Sequence, residues 1–164
     1  MLVSAQPVHK LDIFNNFLRI MVKIKIKLLD RSLPLPKYSH KGDAGLDLFS
    51  AVDCMIKPYE RKLVPTGIKV AIPVGYAGFV QPRSGLAIKY GIALVNSPGL
   101  IDSGYRGEIC IIMVNLDKDN EFNIKKGDKI CQLVIQRVEE AELIEVDNIG
   151  ESDRGEGGFG STGL

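Results

Sequence analysis

Residues 22–28 read Val-Lys-Ile-Lys-Ile-Lys-Leu. Side chains alternate between the two faces of a strand, so this pattern places apolar residues on one face and lysines on the other. Short β-rich runs recur at 67–72, 78–81, 109–115, 129–138 and 142–146. Turn chemistry separates them: Lys41-Gly42-Asp43, Pro73-Val74-Gly75, residues 117–120 and Lys126-Gly127-Asp128. Many short strands between frequent turns predict an all-β sandwich or barrel. One short helix is expected from Ser84, where Ser-Gly-Leu-Ala-Ile-Lys-Tyr offers an N-cap candidate before a single apolar turn. No strand-helix-strand period appears, which disfavours a doubly wound nucleotide fold.

A chain of 164 residues, 45% hydrophobic, can bury one sizeable core but not two ordinary ones. Residues 1–20 read as an extension, disordered or preceding the true start at Met21. Residues 21–147 read as the β core, and residues 148–164 as a glycine-rich arm that stays mobile until something orders it.

The net charge of +1 supplies no electropositive field for a nucleic-acid duplex, whose binding rests on neutralising many phosphates. No apolar run approaches the roughly 20 residues of a membrane span. Nucleic acid and membrane are therefore not expected as partners. Cys54, Cys110 and Cys131 match neither metal-ligand spacing nor a disulfide framework, which points to a reducing, cytoplasmic setting. His9 and His40 lack partners at ligand spacing, so zinc chemistry and a histidine triad are disfavoured, leaving a carboxylate as the expected acid or base.

Four segments carry candidate chemistry. Pro82-Arg83-Ser84-Gly85 sets an arginine and a hydroxyl at the start of the expected helix, a combination suited to an anion or to a plain capped turn. Residues 99–107, Gly-Leu-Ile-Asp-Ser-Gly-Tyr-Arg-Gly, form a polar turn between the apolar runs 92–95 and 109–114 and read as a hairpin. At its tip Asp102 either deprotonates a water or bonds its own backbone. In Ala44-Gly45-Leu46-Asp47-Leu48, alternation points Asp47 away from the leucines, where it either holds a hydrated magnesium or is an ordinary surface aspartate. Residues 154–163 offer a cation, an aromatic ring, hydroxyls and accessible amides, as a strap over an anion or as a linker.

In this order, the segments AGLDLFSA (44–51), PRSGLA (82–87), GLIDSGYRGE (99–108), GDKICQLV (127–134) and RGEGGFGSTG (154–163) closely resemble the five motifs of the trimeric dUTPase family. The resemblance covers nearly everything after residue 21. It implies a distorted jelly-roll or barrel-like β fold, a homotrimer with shared active sites, and a C-terminal arm from a neighbouring chain. The implied reaction is magnesium-assisted hydrolysis of dUTP to dUMP and pyrophosphate, which limits uracil in DNA and supplies dUMP for dTMP synthesis.

By the same resemblance Asp102 is the catalytic base, and Asp47 steadies Mg2+ through water. Arg83, Ser84, Gly85 and Gln132 hold phosphates. Arg154, Gly160 and Ser161 clamp the distal end, and Phe159 stacks on uracil. Asn96, the backbone of Gly99, Leu100 and Ile101, and Cys110 read the base edge, while Tyr105 packs under deoxyribose. Leu46, Gly104 and Cys110 are modest departures at positions where variation is expected. The rival readings are a dCTP deaminase, which places a glutamate in the catalytic hairpin, and a non-catalytic nucleotide sensor.

Overall fold

The computed structural model describes residues 21–158. It is a mostly β structure with one short helix. The strands are β1 (Lys25–Leu28), β2 (Gly45–Phe49), β3 (Cys54–Ile56), β4 (Arg61–Pro65), β5 (Ile68–Ala71), β6 (Tyr76–Gln81), β7 (Ile92–Leu94), β8 (Gly99–Ile101), β9 (Cys110–Asn115), β10 (Phe122–Ile124) and β11 (Lys129–Arg137); helix α1 spans Ser84–Tyr90. The largest sheet has the order β2-β11-β6-β8, and a second has the order β4-β9-β7. Two ribbons, β1-β5 and β10-β3, complete the fold. Every pairing is antiparallel, and no sheet closes into a barrel among the described residues.

Alternation explains the core. In β9, Ile111, Met113 and Asn115 point inward, and in β5, Ile68 and Val70 do so; they meet Leu48, Val64, Val80, Ile92, Ile130 and Leu133. Asn115 is the polar exception, buried yet satisfied. Its amide donates to the Ile56 and Asn120 carbonyls, and its side-chain oxygen accepts the Asp117 N–H, so no penalty for an unpaired buried group arises.

Three expectations change in detail. Residues 142–146 form no strand: nothing described pairs with them, and a lone extended segment has no ladder to join. Leu143 is accordingly 93% exposed. Residues 92–115 are more than a hairpin, because β7 and β9 do pair, but the chain between them crosses to the other sheet and lies beside β6 as β8. Ser84 is not the N-cap of α1; Arg83 is, without a side-chain capping bond, and Ser84 begins the helix. Gly91 ends it in the left-handed region at φ 64°, donating its N–H to the Ala87 carbonyl.

Candidate active site

Two clusters of the expected residues form on the four-stranded sheet. The first centres on Asp47 of β2. Its neighbour Gln132 lies directly opposite on β11, and Gln132 in turn faces Gln81 of β6, after which the chain runs through Pro82 to Arg83. The register of β11 against β2 shifts between Lys129 and Cys131. An extra residue there breaks strict alternation, which buries both Ile130 and Cys131 and turns Lys129 to the same face as Gln132.

Both side chains therefore reach one carboxylate. Lys129 Nζ lies 2.6 Å from Asp47 Oδ2, and Gln132 Nε2 donates to Oδ1 at 3.3 Å. Ser39 Oγ donates to Oδ2 at 3.0 Å, and Arg83 Nε lies 3.6 Å from Oδ1. Arg83 is itself fixed by donating to the Lys129 carbonyl at 3.0 Å. Asp47 is only 4% exposed, so it is no ordinary surface strand residue. Burial pushes its carboxyl upward, but the bonds from Lys129, Ser39 and Gln132 outweigh that and leave it below the usual aspartate value. Gly45 makes room: a Cβ there would stand 3.0 Å from that of Gln132.

The second cluster is a cavity of about 400 Å³ at the other edge of the same sheet. Its lining gathers Asn96, Gly99, Leu100, Ile101, Asp102, Tyr105 and Cys110, seven residues singled out in the sequence. Its size and mostly apolar wall suit a small organic ligand. β8 is the edge strand, paired only with β6, so its outward backbone groups are free to bond a ligand edge. Asp102 is exposed at the cavity margin, in a loop tied by the Tyr105 N–H to the Asp102 carbonyl and by Arg106 Nη1 to the Ser103 and Tyr105 carbonyls. Among the described residues no side chain bonds the Asp102 carboxylate.

Asp47 itself lies three strands from β8 in the sheet order, whereas Arg83 follows β6, the strand that pairs with β8. No hydrogen bond or ion pair joins the two clusters among the described residues. Ser84 and Gly85 are exposed on the first turn of α1, beside Arg83. Arg154 is in neither cluster, and its Nε donates to the Gly157 carbonyl within its own turn. Phe159, Gly160 and Ser161 lie outside the described residues. Sequence reasoning missed Ser39 and Lys129; the alternating charge beside β11 is visible, but the bulge that turns Lys129 onto Asp47 leaves no turn residue to betray it.

Burial pushes the thiols of Cys54, Cys110 and Cys131 upward, so none is poised as a thiolate nucleophile at neutral pH. Groups of three or more metal-ligating side chains are absent among the described residues. Asp47 has its oxygens engaged by Lys129, Ser39, Gln132 and Arg83, so it would hold a magnesium ion only through coordinated water.

An all-β scaffold with an edge-strand cavity, an exposed carboxylate at its margin and a cation-bearing patch suits a small anionic organic ligand. The family model described as dUTPase matches residues 31–163. A deoxyuridine 5'-triphosphate nucleotidohydrolase of Thermobifida fusca is 54% identical over 142 residues, 87% of this chain and 79% of that protein. Its counterpart in Clostridium kluyveri is 53% identical over 87% of this chain and 99% of its own length. Among solved structures, a mutant dUTPase of Staphylococcus bacteriophage 80alpha with dUpNHpp superposes with a TM-score of 0.81 at 32% identity, covering 87% of this chain and 99% of that one. A mutant dUTPase from phage phi11 of S. aureus, described with a structural Mg(II) ion, gives 0.73 at 28% identity over 79% of this chain and 99% of that one. The chain belongs to the dUTPase family and is an enzyme.

Proposed function

We propose that the chain hydrolyses dUTP to dUMP and pyrophosphate, with Asp102 as the base. A water held by the Asp102 carboxylate gives it a proton while the water oxygen bonds the α-phosphorus. The bond from that phosphorus to the bridging oxygen breaks, and pyrophosphate leaves with the electron pair. The observation that carries this reading is the pairing of a carboxylate with no side-chain partner among the described residues with a ligand-sized cavity that its own loop helps to line.

The cavity takes the nucleoside. Free backbone groups of Gly99, Leu100 and Ile101, with Asn96 and Cys110, suit the edge of uracil, and a cytosine would leave buried groups unpaired. Tyr105 packs against deoxyribose and leaves no room for a ribose hydroxyl. Arg83, Ser84, Gly85 and Gln132 hold phosphates, with Lys129 and Ser39 supporting them through Asp47. Magnesium, when bound, lowers the negative charge that opposes attack on the triphosphate; Asp47 is the residue that would steady it through water.

The exposed cavity and the absence of any hydrogen bond or ion pair from it to the cation patch among the described residues fit a homotrimer in which the cavity of one copy meets the cation patch of another. Arg154, Phe159, Gly160 and Ser161 on the arm of a neighbouring copy then close over the ligand. Truncation after Gly150 is expected to cripple turnover and leave the trimer intact; a fully active truncated trimer removes the arm from the reaction.

Pyrophosphate release assayed across the nucleoside triphosphates tests the whole reading. Release from dUTP alone is expected. Ammonia from dCTP without pyrophosphate from dUTP would make the chain a deaminase, and absence of both would make it a sensor.

A further inference from the structure

Gly107 follows the loop that bears Asp102 and Tyr105, and its φ is not in the left-handed region, so its backbone needs no glycine. Space demands one. A Cβ built at position 107 would fall onto the Tyr105 ring, overlapping its Oη and Cζ and standing 2.9 Å from Cε2. The hydroxyl end of the ring sits over this bare position and donates to the Glu108 carbonyl at 2.8 Å. Glu108 is anchored in turn, since its carboxylate accepts the Gly67 N–H at 2.8 Å.

Gly104, in the same loop, meets nothing within 4 Å. The two glycines thus differ, because a side chain at only one of them would meet the ring and require it to move. Tyr105 also lines the cavity, together with Asn96 and Cys110, so any displacement of its ring changes the space left for a ligand.

We infer that Gly107 is a positioning residue: it is the seat that fixes the height of the Tyr105 ring, and through that ring it sets the depth of the sugar end of the cavity. The inference rests on the proposed placement of deoxyribose against Tyr105. An alanine methyl at 107 lifts the ring off the Glu108 carbonyl and misaligns the surface against which the sugar packs. Misfit of about one methyl group in such a pocket is worth about 10-fold or more in binding. The effect belongs to KM, because the ring contacts the sugar equally before and during attack.

The test is steady-state hydrolysis of dUTP and UTP by the full chain and by Gly107→Ala, Gly104→Ala, Tyr105→Ala and the Gly107→Ala/Tyr105→Ala double variant, with thermal unfolding of each. Gly107→Ala is expected to raise KM for dUTP about 10-fold while kcat stays within about threefold, and to narrow the preference for dUTP over UTP. Gly104→Ala keeps the parent values. With the ring removed the seat has nothing to hold, so the double variant matches Tyr105→Ala in both kinetics and melting temperature.

An unchanged KM in Gly107→Ala, or a further loss when it is added to Tyr105→Ala, overturns the inference. If Gly107→Ala alone unfolds, recovery in the double variant supports the ring clash and failure to recover refutes it. Failure of the parent chain to hydrolyse dUTP strikes instead at the proposed function.

Discussion

Asp47 stands in the middle of β2 and Asp102 in the loop just after β8 of the same sheet, and their surroundings are opposites. Asp47 is buried and engaged by Lys129, Ser39, Gln132 and Arg83, so its charge is spoken for before any ligand arrives. Asp102 is exposed, in a loop whose own backbone and Arg106 brace it while its carboxylate stays free of side-chain partners among the described residues. A carboxylate that must accept a proton cannot also be saturated with donors. The contrast supports the proposed division, in which Asp102 takes the proton while Asp47 holds Arg83 and Gln132 in place and would reach magnesium only through water.

The largest effect should come from removing the free carboxylate. Asp102→Asn is expected to lower kcat by about 10²- to 10⁴-fold, the usual contribution of a general base, with nucleotide affinity and melting temperature held. An undiminished rate, measured by pyrophosphate release, breaks the comparison at its functional end.

Asp47→Asn should reverse the pattern by costing stability first. It leaves Lys129 and Arg83 without their anion, but these side chains are 41% and 33% exposed and regain water. The expected loss is about 1–3 kcal/mol, below the cost of breaking a fully buried pair, and reads as a lower midpoint in denaturant. Rate falls as well, through Arg83 and Gln132.

A smaller effect is expected in acid. Because Asp47 titrates below the usual 3.8 when folded, its contribution is complete above that value and is lost as pH falls through the folded value. Asp30, held down to about 2 first by its bond from Lys126, loses stability in the same direction between 3.8 and 2. Lys129→Met removes the strongest stabiliser of the Asp47 anion and leaves Asp30 alone, so melting temperature should depend less steeply on pH below 3.8 than in the parent. Equal slopes would detach Lys129 from Asp47.

Local pattern made β5, β6, β9 and β11 legible, because they follow from β-branched residues between glycine and proline turns. Strands β3, β4 and β10 escaped: the three residues of β3 and of β10 are too few for a period, and β4 opens on two charges and ends on a proline. Residues 142–146 have strand-like composition but no partner among the described residues, since pairing is a tertiary fact that propensity alone cannot supply.

The cavity residues from Gly99 to Glu108 were legible as one contiguous motif, whereas Leu63 and Val80 reach the wall from other strands. Ser39 and Lys129 were not legible, because they join the site through the bulge in β11 and a loop that folds back on β2. The seat under Tyr105 was equally hidden, since a glycine that clears a ring looks in sequence like one that makes a turn.

Turnover of dUTP in water enriched in heavy oxygen tests most directly whether a water attacks the α-phosphorus beside Asp102. Mass analysis of the products is predicted to place the label in dUMP and leave pyrophosphate unlabelled. Label in pyrophosphate would put the attack on the β-phosphorus and contradict the account.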